Sequence, residues 1–473
     1  MERKELTVIA VAVVALALGA GLQVASLHAG ITAASLHVAG VVTRWAGVLA
    51  LVWFGIRRKS LTPWIFVAMV AGAELGFDAP HFAVDLKVFS DIFLRLIKTI
   101  VAPLILATLV VGIAGHGDLK GVGRMGVKAL VYFEVVTTLA LGVGLLAINV
   151  TKAGVGLTFP ATSAAVVATV SKPPAQHWND VLLHMFPENL AKSIADGQIL
   201  QVAVFAIIFA IALATLSEAK RAPVMRLCES LAEVMFRFTN VVMYFAPVGV
   251  GAAMAYTVGS MGLGVLVNLG KLLLTLYGAL AIFAVLVLLP AALIFKVPIA
   301  KFIAAVAEPA TIAFATATSE AALPRAMEQM EALGVPRRIV AFVIPAGYSF
   351  NLDGSTLYLA VASIFVAQAA GIHLTLGQQL VMMLTLVLTS KGVAGVPRAT
   401  LVVLLATAAT FKLPEAPIFV ILGIDALMDM ARTMVNVVGN CLASVVVAKW
   451  EGQFGIEPLD PVVAEGVGLE LEG

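Results

Sequence analysis

Two carboxylates, an arginine and two amides recur along "GIDALMDMARTMVNVVGN", residues 423–440. Asp425, Asp429, Arg432, Asn436 and Asn440 are spaced 4, 3, 4 and 4. At about 100° per residue they stay within about 80° of one another, on one face of a helix. The other faces carry Ala426, Leu427, Met428, Met430, Val435 and Val437. Arginine presents a planar fork matched to a carboxylate. Asp429 suits an ammonium, and Asn436 can donate to a second carboxylate. Together these groups suit a zwitterion with an acidic side chain, glutamate or aspartate. A plainer arrangement stays open, in which Arg432 is only the structural partner of Asp429 or Asp425. Two carboxylates and two amides are more than one such pair requires.

A second polar stretch, "FNLDGS" at 350–355, sets Asn351, Asp353 and Ser355 beside Gly354. Glycine weakens a helix and frees carbonyl oxygens. Carboxylate, amide and carbonyl oxygens can hold a hard cation, or Asp353 can take a proton; a polar kink packed on a neighbouring helix is the alternative. Two small-residue stretches, "TSE" at 318–320 and "GVAGVP" at 392–397, expose backbone N–H groups able to meet an anion. Alone, each also fits a plain turn.

These groups sit in an apolar chain. Of 473 residues, 61% are hydrophobic and 12% charged, against roughly 25% charged in soluble domains. Uncharged apolar runs long enough to cross a hydrocarbon core of about 30 Å recur along it, which predicts an all-α polytopic membrane protein. Spans are expected near 6–27, 36–56, 62–77, 88–114, 129–149, 197–216, 231–257 and 266–296. A net charge of +2 gives no footprint for nucleic acid. Cys228 and Cys441 lack metal-ligand spacing, and the seven histidines show no HxxxH pair. "MERKELTVIAVAVV" resembles a signal peptide without a clear cleavage site and reads as a retained signal anchor. The basic clusters at "ERK", "RRK" (57–59), Lys120, Arg124, Lys128, Lys220, Arg221, Arg226, Lys301, Arg337 and Arg338 alternate consistently with a cytoplasmic placement, leaving 150–196 outside.

After residue 300 the pattern changes. "AEPATIAFATATSEAALPRAMEQMEALG" and "LTLVLTSKGVAGVPRATLVVLLATAATFKLP" are each two half-length arms around a small-residue tip, and read as re-entrant hairpins. Each precedes a full-length helix interrupted by polar or glycine residues. Such paired discontinuous segments point to a transporter's midplane site.

"SEAALP", "NLDGS", "GVAGVP" and "DMARTMVN", in this order, resemble the dicarboxylate/amino acid:cation symporter family, which includes the glutamate transporters. The resemblance runs from about residue 60 to about 452. It implies the glutamate-transporter elevator fold, with two re-entrant helical hairpins and two broken helices, in a homotrimer of the bacterial inner membrane. By domain, it implies mainly scaffold and trimerisation helices over 60–296, with 88–149 contributing to a transport domain. The transport core is 297–452: hairpin 1 (300–334), a broken helix (338–369), hairpin 2 (375–410) and a last helix (417–448). A cytoplasmic tail covers 453–473, and 1–59 is an additional transmembrane pair outside the resemblance.

Carried across, Asp429 meets the substrate's amino group and Arg432 its side-chain carboxylate. Thr433 and Asn436 complete that helix, and Ser319, Ser355 and the backbone at Val396 close over the substrate. C4-dicarboxylate members lack a carboxylate at the position of Asp429, so its presence favours an amino acid. Sodium-coupled relatives have Asp at the position of Asn440, and Tyr and Thr where Phe133 and Val136 stand here. Lys391 replaces an aliphatic residue beside another of their Na⁺ sites. The chain therefore resembles the proton/glutamate symporter branch, with Glu134, Glu320, Asp353 and Asp425 as candidate proton carriers, because loss of solvent favours the neutral form of a carboxylic acid. Leu359 stands where animal relatives have a glutamate linked to K⁺ countertransport. The implied partners are L-glutamate or L-aspartate, protons and the lipid bilayer, with no metal and no cofactor. A C4-dicarboxylate carrier and a sodium-coupled symporter remain alternatives, and a channel would need polarity over more helices than these.

Overall fold

A computed structural model describes residues 3–26, 33–57, 61–114, 123–157, 186–195, 199–389 and 399–455, and their regular elements are all helical. In chain order these are α1 (Arg3–Ser26), α2 (Ala33–Arg57), α3 (Leu61–Asp78), α4 (Pro80–Asp85), α5 (Lys87–Ala114), α6 (Gly123–Thr151) and α7 (Leu190–Ala195). Then come α8 (Ile199–Ala214), α9 (Glu218–Met243), α10 (Ala246–Met261), α11 (Gly264–Phe283), a π turn (Ala284–Leu288) and α12 (Leu289–Ile294). The last third holds α13 (Ile299–Thr316), α14 (Ser319–Ala332), α15 (Arg337–Phe350), α16 (Asp353–Ala369), α17 (Leu376–Thr389), α18 (Ala399–Thr410), α19 (Ala416–Leu422) and α20 (Asp425–Trp450). Among the described residues eight helices are long and apolar enough to cross a membrane, or nine if one bent pair counts as a span. The chain is a multi-pass membrane protein.

The bent pair corrects one expected span. Residues 231–257 are not one helix: α9 and α10 meet at 51° around Tyr244 and Phe245. Pro247 stands in the first turn of α10, where its missing N–H costs nothing and its ring cannot follow a preceding helical turn.

Both hairpins and both broken helices are present. α13 and α14 turn through Ala317, in left-handed backbone at φ 52°, and Thr318. The tip joining α17 to α18, with Lys391, Val396 and "GVAGVP", lies outside the described residues. α15 and α16 break at Asn351–Leu352, and α19 and α20 at Gly423–Ile424. The second break thus precedes the polar stripe, which rides on unbroken helix.

The two hairpins enter from opposite ends. At the base of the first, Gly455 N donates to Gly334 O (2.8 Å), the Phe295 and Trp450 rings lie 5.7 Å apart, and Lys128 pairs with Glu451 at 2.6 Å. That end holds the start of α6 and the end of α20. At the base of the second, Gln379 accepts from Asn149 at the other end of α6 (2.7 Å). Two elements of like design are thus inserted in opposite senses, as in transporters built on inverted repeats.

Small residues set the packing, as they do where helices must approach within lipid. A methyl at Gly144 of α6 would lie 2.6 Å from Leu357 O of α16, and one at Gly76 of α3 would lie 2.6 Å from Ala255 O of α10. α11 packs on α6, α16 and α20. It therefore packs mainly on the broken helices, with a smaller contact to α10, although 264–294 falls in the stretch expected to be mainly scaffold.

Candidate substrate-binding site

The site is built where the breaks of the two long helices meet. Three glycines on α15, α16 and α20 permit that approach. A methyl at Gly439 would run into the Asp353 carboxylate, one at Gly347 into the Asn440 side chain, and one at Gly354 into the Arg432 carbonyl. The sequence reading gave Gly354 the role of breaking the helix. The break lies two residues earlier, and Gly354 sits inside the first turn of α16, where bare backbone admits α20.

Around Asp353 the polar groups interlock. The Asn351 amide nitrogen donates to Asp353 Oδ2 and to Asn440 Oδ1, both at 3.1 Å, and all three residues are fully buried. Asn351 Oδ1 and Asn440 Nδ2 are left without partners among the described residues. Asp353 opens α16 and Asp425 opens α20, so each carboxylate meets the positive end of its own helix dipole.

Arg432 is fully buried on α20. Its Nε donates to Asp429 Oδ1 at 2.9 Å and its Nη1 to Asp425 Oδ1 at 3.3 Å. The guanidinium carbon stands 4.3 Å over the ring centre of Tyr358, whose hydroxyl donates to Asp425 at 3.2 Å. Thr433 Oγ1 donates to Asp429 at 3.3 Å. Asn436 donates to Ser355 Oγ at 2.9 Å and accepts from Ser355 N at 3.2 Å. Arg432 Nη2 is buried with no hydrogen-bond partner among the described residues. The fork is thus half engaged, and its unfilled nitrogen is what a ligand carboxylate would meet.

Ser355, Asp429, Arg432, Thr433 and Asn436 therefore come together, with Asn351, Asp353, Asp425 and Asn440 beside them. Ser319 is buried at the start of α14, which packs on α20, and Glu320 follows it in the first turn. Glu134 is not brought in: it lies on the exposed face of α6. Its neighbours Tyr132, Phe133, Val136 and Thr137 are buried. The sequence reading offered only Phe133 and Val136 on this helix, hence no side-chain ligand. Tyr132 and Thr137 correct that, because both present buried hydroxyls without hydrogen-bond partners among the described residues, and Tyr132 lies within electrostatic reach of Asp353. Tyr358 was missed as well; its signal was an aromatic three residues past Ser355, on the same helix face. No cluster of histidine, cysteine and carboxylates fit for a metal occurs among the described residues.

The sequence profile of the sodium:dicarboxylate symporter family matches residues 61–450. The chain belongs to this family. It is 41% identical over 417 residues to the proton/sodium-glutamate symport protein of Bacillus caldotenax, covering 87% of this chain and 99% of the relative. It is 43% identical over 401 residues to the proton/glutamate-aspartate symporter of Bacillus subtilis, covering 84% and 96%. A C4-dicarboxylate transport protein of Solibacter usitatus is 44% identical over 401 residues, covering 84% and 94%. Similarity at this level does not separate the substrate classes within the symporter family, so the site residues must. α1 and α2 lie outside the family match.

Proposed function

We propose that the chain is a secondary active symporter of the bacterial inner membrane that imports glutamate or aspartate together with protons. One observation carries the substrate class: Arg432, buried, with Asp429 on its Nε and its Nη2 unfilled. An incoming side-chain carboxylate takes the fork, and Asp429 turns to the substrate's ammonium. A C4-dicarboxylate would set a second anion near Asp429 with nothing to balance it, so the reading carried by the Solibacter usitatus relative ranks second. Thr433, Asn436, Ser355 and Ser319 complete the pocket, with the backbone at Val396 as its lid. The chemistry is binding and translocation, with no role as an enzyme.

Proton coupling is supported by Asn440, an amide beside Asp353 where a second carboxylate would bind Na⁺ more strongly. Asp353, Asp425 and Glu320 are the candidate carriers; Glu134 ranks below them on its exposed face. Lys391 supplies a tethered charge in the second hairpin. The hydroxyls of Tyr132 and Thr137 keep a sodium-coupled reading in second place. The static body comprises α3–α5 and α7–α10, and the moving body α6 and α11–α20, in a homotrimer working as an elevator.

The test is uptake of labelled glutamate, aspartate and succinate into liposomes holding purified protein, driven by an inward proton gradient without Na⁺. Amino-acid uptake that collapses with a protonophore supports the reading. Uptake that starts only with Na⁺ overturns the coupling, and a preference for succinate overturns the substrate.

A further inference from the structure

The first two helices lie outside the family match, yet they are joined to it by a buried ion cluster. α1 and α2 pack as a hairpin of small residues: a methyl at Gly19 would lie 2.7 Å from Gly40 O, and one at Gly47 would lie 3.0 Å from Ala12 O. Their far sides carry exposed Val11, Val14, Leu18, Val38, Val42 and Leu49, which suit lipid. On the side facing α3, Arg44 is 4% exposed. Its Nε lies 3.0 Å from Glu74 Oε2, its Nη2 bonds Asp78, and its Nη1 bonds Gln23 of α1. Its guanidinium stands 5.0 Å over the Phe77 ring, and Trp45 Nε1 donates to Asp78 at 2.9 Å. One residue of α2 thus holds both α1 and α3.

Glu74 and Asp78 are one helical turn apart on the face of α3 that turns away from α10, and are only 17% and 18% exposed. Without α2 that face would offer two carboxylates to hydrocarbon. Charged groups inside a bilayer survive only when paired or wetted. Removing one side of a buried ion pair leaves a charge with no compensation.

We propose that the α1–α2 hairpin is a permanent part of the carrier, serving as the intramembrane counter-ion partner of α3, with Arg44 as the positioning residue that docks it. Through α3 it braces α10, the helix pressed against the opposite side by the Gly72 and Gly76 contacts. This role is independent of the substrate and of the coupling ion.

The test uses the full chain with a protease site inserted between Lys59 and Ser60. After cleavage in mild detergent, the released hairpin should co-purify with residues 60–473. Arg44→Met should reduce the retained hairpin about tenfold or more, since a buried charge pair is broken. The triple variant Arg44→Met, Glu74→Gln, Asp78→Asn should retain it within about threefold of the unaltered chain, because no charge is left unmatched. If Arg44→Met yields no folded protein, the triple variant decides: folded protein with the hairpin bound supports the proposal, and a second failure overturns it. A hairpin that leaves the unaltered chain on cleavage, or one that Arg44→Met holds equally well, overturns it too.

Discussion

Arg432 and Arg44 are the two most deeply buried arginines among the described residues, at 0% and 4% exposure, and they do opposite things. Arg44 pairs with Glu74 and Asp78 near the end of α3 and bonds Gln23 near the end of α1, although its Nε makes no hydrogen bond among the described residues. Arg432 leaves Nη2 unfilled and stands between two helix breaks. A guanidinium held by carboxylates of a neighbouring helix, away from any helix break, is a joint. One that stands where helices open is placed to receive a ligand. Burial alone does not tell them apart; the helix breaks beside Arg432 do.

The largest effect should follow from exchanging guanidinium for ammonium. Arg432→Lys keeps the charge and loses the fork, so proton-driven uptake should fall about 100-fold with folded yield intact. Uptake reduced less than about threefold, measured in liposomes at equal protein, would place Arg432 among joints like Arg44. Next comes Gly439→Ala, which drives a methyl into the Asp353 carboxylate. Overpacking of this kind costs about 1–3 kcal/mol, so uptake should fall at least about fivefold. Unchanged uptake would mean that α16 and α20 do not meet this tightly. Asn440→Asp adds a second carboxylate beside Asp353 and should make uptake rise severalfold with Na⁺, by adding a charged oxygen ligand. A flat Na⁺ titration of the variant would remove the amide from the coupling argument. The smallest effect belongs to Glu134→Gln, within about twofold, as for an ordinary surface position. A loss of proton-driven uptake there would restore Glu134 as a carrier.

What the sequence disclosed follows the range of the interactions. The stripe from Asp425 to Asn440 was legible because its residues share one helix and its period. The hairpins were legible from arm length and small-residue tips. Gly354 was misassigned because a weak helix former and a residue that admits a neighbouring backbone look alike until the neighbour is known. On α6, apolar Phe133 and Val136 were named while the adjacent hydroxyls of Tyr132 and Thr137 went unnoticed; a buried arc wide enough to take in all four becomes visible only once α16 is in place. The tie from Arg44 to Glu74 and Asp78 crosses helices far apart in the chain, so no local pattern announced it. Pro247 did signal the bend between α9 and α10, but an unbroken hydropathy run concealed it.

The paired helix breaks also have an electrical consequence. Three carboxylates, Asp353, Asp425 and Asp429, face one guanidinium among the described residues, and the starts of α16 and α20 each add about half a positive charge. With all three acids ionised, the empty site carries an excess of about one negative charge, and an acidic amino acid adds about one more. A low-dielectric layer resists the passage of such a charge steeply. Cations must therefore travel with the substrate for the loaded site to cross cheaply, which makes co-transport a requirement of electrostatics before it is a matter of which cation is used.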